Sequence, residues 1–340
     1  MVRVRPAEQN DLPALMELAG KTGRGMTTVP QSERTMQHRI YLSQEAFARP
    51  RPTEKGEIFF LVLEDDSEVI GMACIFTHLG HDRPFYSYRI SHISSHSPEL
   101  ELRTDANVLT LVNDFHGYTE IGTLFVDPDK RGGGVGRLLS FSRFMLMAAN
   151  PGRFGDKIMA EIRGWADENG DFPFWEHVAR KFFHLEFDEA DKRSANDFRF
   201  IADLMPKYPI YADLLPKQAQ EAIGKPHDSS RPAMELLMRQ GFHYENLIDI
   251  FDAGPSLQAR IENITTIRNA ERRRVEKGKE VKGDMPALVA KIGMTDFACI
   301  SAHVDAVDAD TIILSQDQID ELGVKEGEEV LVTPVKGRKS

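Results

Sequence analysis

The sequence predicts an α+β fold, and three stretches carry that expectation. Glu57–Leu63 and Val69–Phe76 are apolar runs rich in Phe, Val and Ile, separated by a polar turn at Asp65–Ser67, as in an antiparallel hairpin. Ile121–Val126 is a short apolar strand that feeds a glycine-rich loop and then a strongly periodic helix. The run from Ala287 to Val335 is β-rich around one short polar helix. At about 100–200 residues per domain, 340 residues make two domains, or one large domain with additions.

The remaining elements follow in chain order. Val2–Arg5 alternates apolar and charged residues, as a short strand does. Asn10 and Asp11 can cap a helix whose Leu12, Leu15, Met16 and Ala19 share one face. Lys21–Pro30, with two glycines and three threonines, reads as a loop. A helix over roughly Ser32–Ala48 ends before Pro50 and Pro52, and Phe85–Ile93 continues the sheet. Leu138, Leu139, Phe141, Ser142, Met145, Leu146 and Ala149 trace the long helix, which stops at Asn150-Pro151-Gly152.

Lys157–Ile162 is a further strand, and Phe174–Phe183 an aromatic-rich helix. Residues 202–224 read as helical pieces broken by Pro206, Pro209 and Pro216. Ser230–Gln240 is a helix stopped by Gly241, and Phe242–Phe251 a strand. Arg268–Gly283 interleaves bases with acids and is expected to be an exposed helix end plus linker. In the tail, Ile312–Leu314 and Val330–Val335 are β-like and flank a polar helix or turn at Asp317–Leu322. No internal repeat of fixed period is visible.

Composition narrows the function. Asp and Glu number 53 against 42 Lys and Arg, a net charge of −11. So acidic a surface repels nucleic acid and anionic membrane, leaving room for a local pocket that binds one small anion. Cys74 and Cys299 cannot build a disulfide framework, which fits a reducing, cytoplasmic setting. No run approaches the ~20 apolar residues of a membrane span. The start of the chain lacks the apolar core of a signal peptide.

A strand, a glycine-rich loop and a helix make a phosphate trap. Glycines let the backbone approach the anion, successive N–H groups point at it, and the helix dipole adds positive potential. The glycines at 132, 133, 134 and 136 miss the dinucleotide spacing G-x-G-x-x-G, and Gly136 is followed by Arg137 rather than the lysine of a P-loop. The pattern present is R-x-x-G-x-G at Arg131–Gly136, preceded by Asp127-Pro128.

That motif, together with the element order around it, resembles the acyl-CoA pyrophosphate loop of the GNAT N-acyltransferases. The segments at 21–30, 123–149, 160–164, 203–211, 221–227 and 241–255 resemble the arginine N-succinyltransferase family within it. The resemblance spans nearly the whole chain and is weakest after Arg268. It implies a GNAT-like mixed, mostly antiparallel sheet flanked by helices, with an extended second half and a small β-rich C-terminal unit. Residues 1–200 would form the acyl-CoA-binding domain and 201–268 an α/β extension with the proton donor. Residues 284–340 would form the C-terminal unit.

The resemblance also implies a reaction: succinyl transfer from succinyl-CoA to the α-amino group of L-arginine, in arginine catabolism. By it, Leu124 contacts the acyl-CoA, with Phe125 and Val126 beside it. Arg131, Gly132, Gly133, Gly134, Val135 and Gly136 hold the pyrophosphate. His227, in Ile223-Gly224-Lys225-Pro226-His227, matches the family's I-G-x-x-H proton donor. Many GNAT enzymes carry a tyrosine acid where this chain has Phe182-Phe183, which favours an acid from elsewhere.

Charge logic leaves other roles open. Glu161 or Glu120 could take the amine's proton. Asp114, Asp249 or Asp252 could hold the guanidinium. Arg163, Arg89, Thr27 or Thr28 could bind the succinyl carboxylate. His78-x-x-His81 and His92-x-x-x-His96 lack the context of a metal site, so no metal and no tightly bound cofactor are expected. Alternatives are an acyltransferase acting on ornithine or another amine, or a non-catalytic acyl-CoA-binding subunit. A homo-oligomer or a pairing with a similar subunit is also compatible.

Overall fold

A computed structural model describes residues 2–335 except 24, 27, 197–198, 279–282, 284 and 307–309. The order opens with β1 (Val2–Pro6), α1 (Leu12–Gly20), α2 (Glu33–Ala48), β2 (Ile58–Asp65), β3 (Glu68–Phe76), β4 (Ser87–Ser97) and β5 (Leu102–Val112). Next come β6 (Thr119–Val126), α3 (Val135–Ala149) and β7 (Lys157–Glu161). Short pieces follow: α4 (Arg180–Phe183), α5 (Phe187–Asn196), α6 (Arg199–Leu204), β8 (Ile210–Tyr211), α7 (Lys217–Ala222) and α8 (Arg231–Arg239). After β9 (His243–Ile248), β10 (Pro255–Arg260) and α9 (Thr265–Arg268) come β11 (Glu271–Lys277), β12 (Met285–Lys291), β13 (Cys299–Ala306), β14 (Thr311–Leu314), α10 (Gln316–Leu322) and β15 (Glu329–Pro334).

These strands join in one sheet, in the order β12-β15-β11-β14-β13-β1-β2-β3-β6-β7-β10-β9-β4-β5-β8. Neighbours are antiparallel except β6–β7 and β11–β14. This is the GNAT-like mixed sheet. At one end β12 also pairs with β13, so five strands close into a small barrel around Val275, Val289, Val304, Ile312 and Val332. The barrel joins the rest through β13, which pairs with β1 at Arg3↔Ile300 and Val4↔Cys299.

Two layers flank the central strands. Helix α3 packs on one face with Leu139, Phe144 and Leu146 against Leu61, Ala73 and Ile121. Helices α1 and α2 cover the other face, where Leu15, Met36 and Ile40 meet Phe60, Met72 and Phe125. A second core under the later strands gathers Tyr88, Phe174, Trp175, Phe183 and Ile248.

Within Arg268–Gly283, of which 279–282 lie outside the described residues, the expectation changes: residues 271–277 form β11, paired with β14 and β15, rather than a helix end and linker. Of its seven residues only Val275 is buried, so the charged neighbours hide the strand period from the sequence. The aromatic stretch is helical throughout 173–183, as expected, with a wide π segment at Trp175–Ala179 leading into α4. Strands β5 and β10, which the sequence reading left unassigned, complete the sheet on either side of β4 and β9.

Candidate active site

Parallel strands β6 and β7 pair only at Thr119↔Ile158 and Glu120↔Met159, then diverge into a fork. On its other side β6 stays paired with β3, but its register slips between Cys74↔Gly122 and Met72↔Phe125. Thr123 and Leu124 therefore oppose a single residue, and Thr123 takes a positive φ of 54°. A bulge of this kind bends the strand and frees backbone groups from the ladder. The Thr123 N–H donates to the Thr28 hydroxyl at 3.1 Å, which leaves the donors from Leu124 onward as candidates for a ligand.

The glycine loop stands at the open end of the fork. Gly132, Gly133 and Gly134 all have positive φ (124°, 55° and 86°), and no heavy atom outside the neighbouring residues lies within 4 Å of where a Cβ would sit. Gly134 caps the 15-residue α3, so free N–H groups and the helix dipole face the same exposed hollow. Arg131 is tied back: its Nε donates to the Val126 carbonyl at 3.2 Å, and its guanidinium lies 5.9 Å from the Phe125 ring centre. Phe125 and Val126 are buried; Leu124 is half-buried.

Leu124 on β6 and Arg163, two residues past the end of β7, lie on the two arms beyond the last paired residues, Glu120 and Met159. The His227 N–H donates to the Arg163 carbonyl at 2.8 Å, and Pro226 bridges to Gly164. His227 is thus held on the β7 arm of the fork. Its Nδ1 accepts from the Ser229 N–H at 3.1 Å and lies 2.7 Å from the Ser229 hydroxyl, so in the neutral ring the proton sits on Nε2. Partial burial, and then the nearby Arg163 charge, lower the pKa of the ring; Asp228 opposes them. The Arg163 guanidinium lies 5.8 Å from the Phe172 ring centre, against the 21–30 loop. A Cβ on Gly25 would stand 2.9 Å from the Arg163 Nε.

Glu120 and Glu161 lie on the sheet face turned toward that loop. Burial pushes Glu120 up to about 7, against the opposing charges of Arg39 and Arg83. Burial, and then Asp249, Glu120 and Asp252, push Glu161 well above the usual carboxylate range. Asp252 accepts from the Gly164 and Gly254 N–H groups at 2.7 and 2.8 Å. Burial, and then Asp249, hold its carboxyl well up. Asp249 accepts from the Phe251 and Asp252 N–H groups at 2.7 and 2.8 Å.

The other candidates separate. Asp114 and Arg89 pair with each other on the surface, Nε to Oδ2 at 3.0 Å. Thr28 sits at the bulge, and Thr27 lies outside the described residues. His92 faces Asp105 at 3.6 Å, and His78 meets Thr77 at 3.1 Å. Among the described residues, no three His, Cys, Asp or Glu side chains gather as a metal site would need.

One residue the sequence reading passed over is Arg143, fully buried in α3. Its Nη2 donates to the Ser140 hydroxyl at 3.0 Å, and its Nη1 lies 3.5 Å from the Gly122 carbonyl. It has no carboxylate partner among the described residues, and burial pulls its pKa down to about 9. An arginine on the apolar stripe of the long helix was the available signal.

The comparisons agree along the whole chain. A profile described as "Arginine N-succinyltransferase beta subunit" matches residues 2–266, and one for its C-terminal domain matches 271–334. An arginine N-succinyltransferase of Enterobacter sp. (strain 638) is 40% identical over 333 residues, covering 97% of this chain and 96% of the relative. One from Escherichia coli (strain 55989 / EAEC) gives the same figures. The solved structure of the arginine/ornithine succinyltransferase subunit AI from Pseudomonas aeruginosa superposes with a TM-score of 0.89 at 33% identity, covering 99% of each chain.

Proposed function

The chain belongs to the arginine N-succinyltransferase family, and from that premise we propose that it moves a succinyl group from succinyl-CoA to the α-amino group of L-arginine. Enzymes of this kind are acyl-CoA N-acyltransferases. The observation that carries the site assignment is the bulge at Thr123–Leu124, on the arm of the fork that leads into the glycine loop, with His227 held on the other arm. Backbone donors at such a bend hold a thioester carbonyl and then its oxyanion, where one donor is worth ~10²–10³ in turnover.

In this reading Gly132, Gly133, Gly134 and Gly136 cradle the pyrophosphate through their N–H groups, and Val135, whose N–H closes the turn on the Gly132 carbonyl, lines the loop. Arg131 buttresses the loop by its bond to Val126. Leu124, flanked by Phe125 and Val126, holds the thioester. The neutral α-amine attacks the carbonyl carbon: a C–N bond forms, the C–S bond breaks, and the amine's extra proton passes to Glu120. Its pKa near 7 makes Glu120 a competent base at neutral pH. His227, in its protonated imidazolium form with the Ser229 hydroxyl accepting from Nδ1–H, supplies the proton of the departing thiolate from Nε2 and is left neutral. Arg163, just past the end of β7, meets the succinyl carboxylate. The attack is direct, since Cys74 and Cys299 are both buried and burial raises their pKa values.

Ornithine as a second acceptor is favoured by the likeness to the Pseudomonas arginine/ornithine succinyltransferase, whose name as subunit AI also suggests a similar subunit as partner. No helix among the described residues is long and apolar enough to cross a membrane, and a cytoplasmic setting fits the reaction.

Thiol release tests the reading. Succinyl-CoA is offered with L-arginine, L-ornithine or no amine, and acetyl-CoA serves as the control donor. Arginine-dependent release that prefers succinyl-CoA is expected. CoA binding without release for any amine would move the weight to a subunit that needs its partner.

A further inference from the structure

One carboxylate in the fork has no cation. Glu120 has Arg39 and Arg83 near it, and Asp114 has Arg89. Glu161, at the end of β7, makes no hydrogen bond and no ion pair among the described residues, although it keeps partial exposure. Its register partner on β10 is Ser256. The Ser256 hydroxyl is buried and unpartnered among the described residues. One strand further, Asp249 follows the end of β9 and is also partly exposed. On β4, Tyr88 pairs with Ile248, which brings the neighbouring Ser87 beside Asp249. The Ser87 hydroxyl is buried and unpartnered in the same way.

A polar stripe therefore crosses β7, β10, β9 and β4 on one face, beside the apolar cluster of Phe115, Met159 and Leu247. Two idle buried hydroxyls lie beside Glu161, which has no internal donor among the described residues, and beside the partly exposed Asp249, whose Oδ1 takes two backbone N–H bonds. Such a group calls for a ligand with several N–H donors and a positive charge.

We infer that Glu161 and Asp249 clasp the guanidinium of the acceptor across Ser256, and that this stripe sets the preference for arginine. The inference rests on the acyl-transfer reading above. Strands stand about 4.8 Å apart, so β7 and β9 flank β10 with ~10 Å between their backbones, a gap suited to a planar guanidinium between two acid side chains. Leu124 lies on the β6 arm and Glu161 on the β7 arm, both beyond the last paired residues Glu120 and Met159, so an extended arginine reaching from one arm to the other would present its α-nitrogen to the thioester and its guanidinium to Glu161. Neither Glu161 carboxylate oxygen has a hydrogen-bond partner among the described residues, which leaves both for the two-point contact that a guanidinium makes. Asp249 supplies the second wall, and Ser256 and Ser87 accept the remaining N–H groups. Glu161 and Asp249 are thereby specificity residues, apart from the proton transfers assigned to Glu120 and His227.

The test compares L-arginine with L-citrulline, its neutral counterpart, in the wild type, Glu161→Gln and Ser256→Ala. Glu161→Gln is expected to lower kcat/KM for arginine by roughly 10²-fold, with little change for citrulline or in the KM for succinyl-CoA. Ser256→Ala is expected to lose about tenfold for arginine in the same selective way. An equal loss for arginine and citrulline in Glu161→Gln, or no loss for either, overturns the assignment. Calorimetric titration of arginine into the CoA-bound protein separates this from a failure of the acyl-transfer reading. Weaker arginine binding to Glu161→Gln than to the wild type supports the seat even if no acyl transfer occurs. Equal binding rejects it. If Glu161→Gln does not fold, the same comparisons on Ser256→Ala decide.

Discussion

The guanidinium of Arg143 lies 3.5 Å from the carbonyl of Gly122, so a fully buried cation sits directly behind the bent strand on which acyl transfer would occur. Nothing among the described residues neutralises it. Burying such a charge is costly unless a negative charge arrives to meet it. The oxyanion and the thiolate of the reaction both develop beside this strand.

Arg143→Met should therefore lower kcat by ~10–10³-fold while leaving the KM for succinyl-CoA close to that of the wild type. Thermal stability should hold or rise, because removing an uncompensated buried charge relieves a desolvation cost. Steady-state kinetics and a melting curve on the same preparation check both halves. A parallel collapse of stability and turnover would make the residue structural.

His227→Ala should cut turnover by roughly 10²–10⁴-fold with acyl-CoA affinity nearly unchanged, since a proton donor acts in the transition state. Affinity is read by titration of CoA and turnover by thiol release. Ser229→Ala is the milder companion. It keeps the backbone N–H at Nδ1 and so the tautomer, and should cost less than tenfold.

Gly134→Val should weaken CoA binding by more than ~100-fold while the fold survives. The residue is exposed with φ of 86°, a conformation that a β-branched side chain adopts only with strain. No atom crowds the position, so the loss would come from the altered loop path rather than from a clash. Unchanged CoA affinity in this variant would count against the loop as the pyrophosphate cradle.

Glu120 gives a pH prediction with a definite sign. Its carboxyl, pushed by burial to about 7, is an acid below that pH and a base above it. The kcat/KM for arginine should rise with pH through about 7, and Glu120→Gln should remove that limb. Stability runs the other way. A folded pKa above the usual value gives a stabilisation present below the ordinary carboxylate range and lost as pH rises through about 7. Denaturant unfolding between pH 5 and 8 should show less decline in Glu120→Gln than in the wild type.

Much of the fold was legible because its apolar periods are clean. The hairpin of β2 and β3, the strand and helix around the glycine loop, and the helix ending at Gly323 each carry a local signal, the last a left-handed C-cap at φ of 61°. Strand β11 was not legible, because one buried valine among six charged neighbours reads as a solvated run. In the site, the glycine loop and His227 stand out by motif. Arg143, Ser87 and Ser256 do not, because their meaning depends on which strands become neighbours. The order β6-β7-β10-β9-β4 cannot be read from local pattern.

The pairing of β1 with β13 has a kinetic side. Arg3 and Val4 find their partners, Ile300 and Cys299, at the far end of the sequence. During synthesis the first strand leaves the ribosome with one edge unpaired, and it stays so until the barrel segment has emerged. Loop closure over so long a stretch is slow, and an open edge is a site for wrong pairing. Charges on that edge are one guard: Arg3 and Arg5 both bond Glu64 of the adjoining strand, at 2.6 and 3.1 Å, and can do so before the barrel exists. Truncation ahead of β13 should thus leave an aggregation-prone chain rather than a smaller working enzyme.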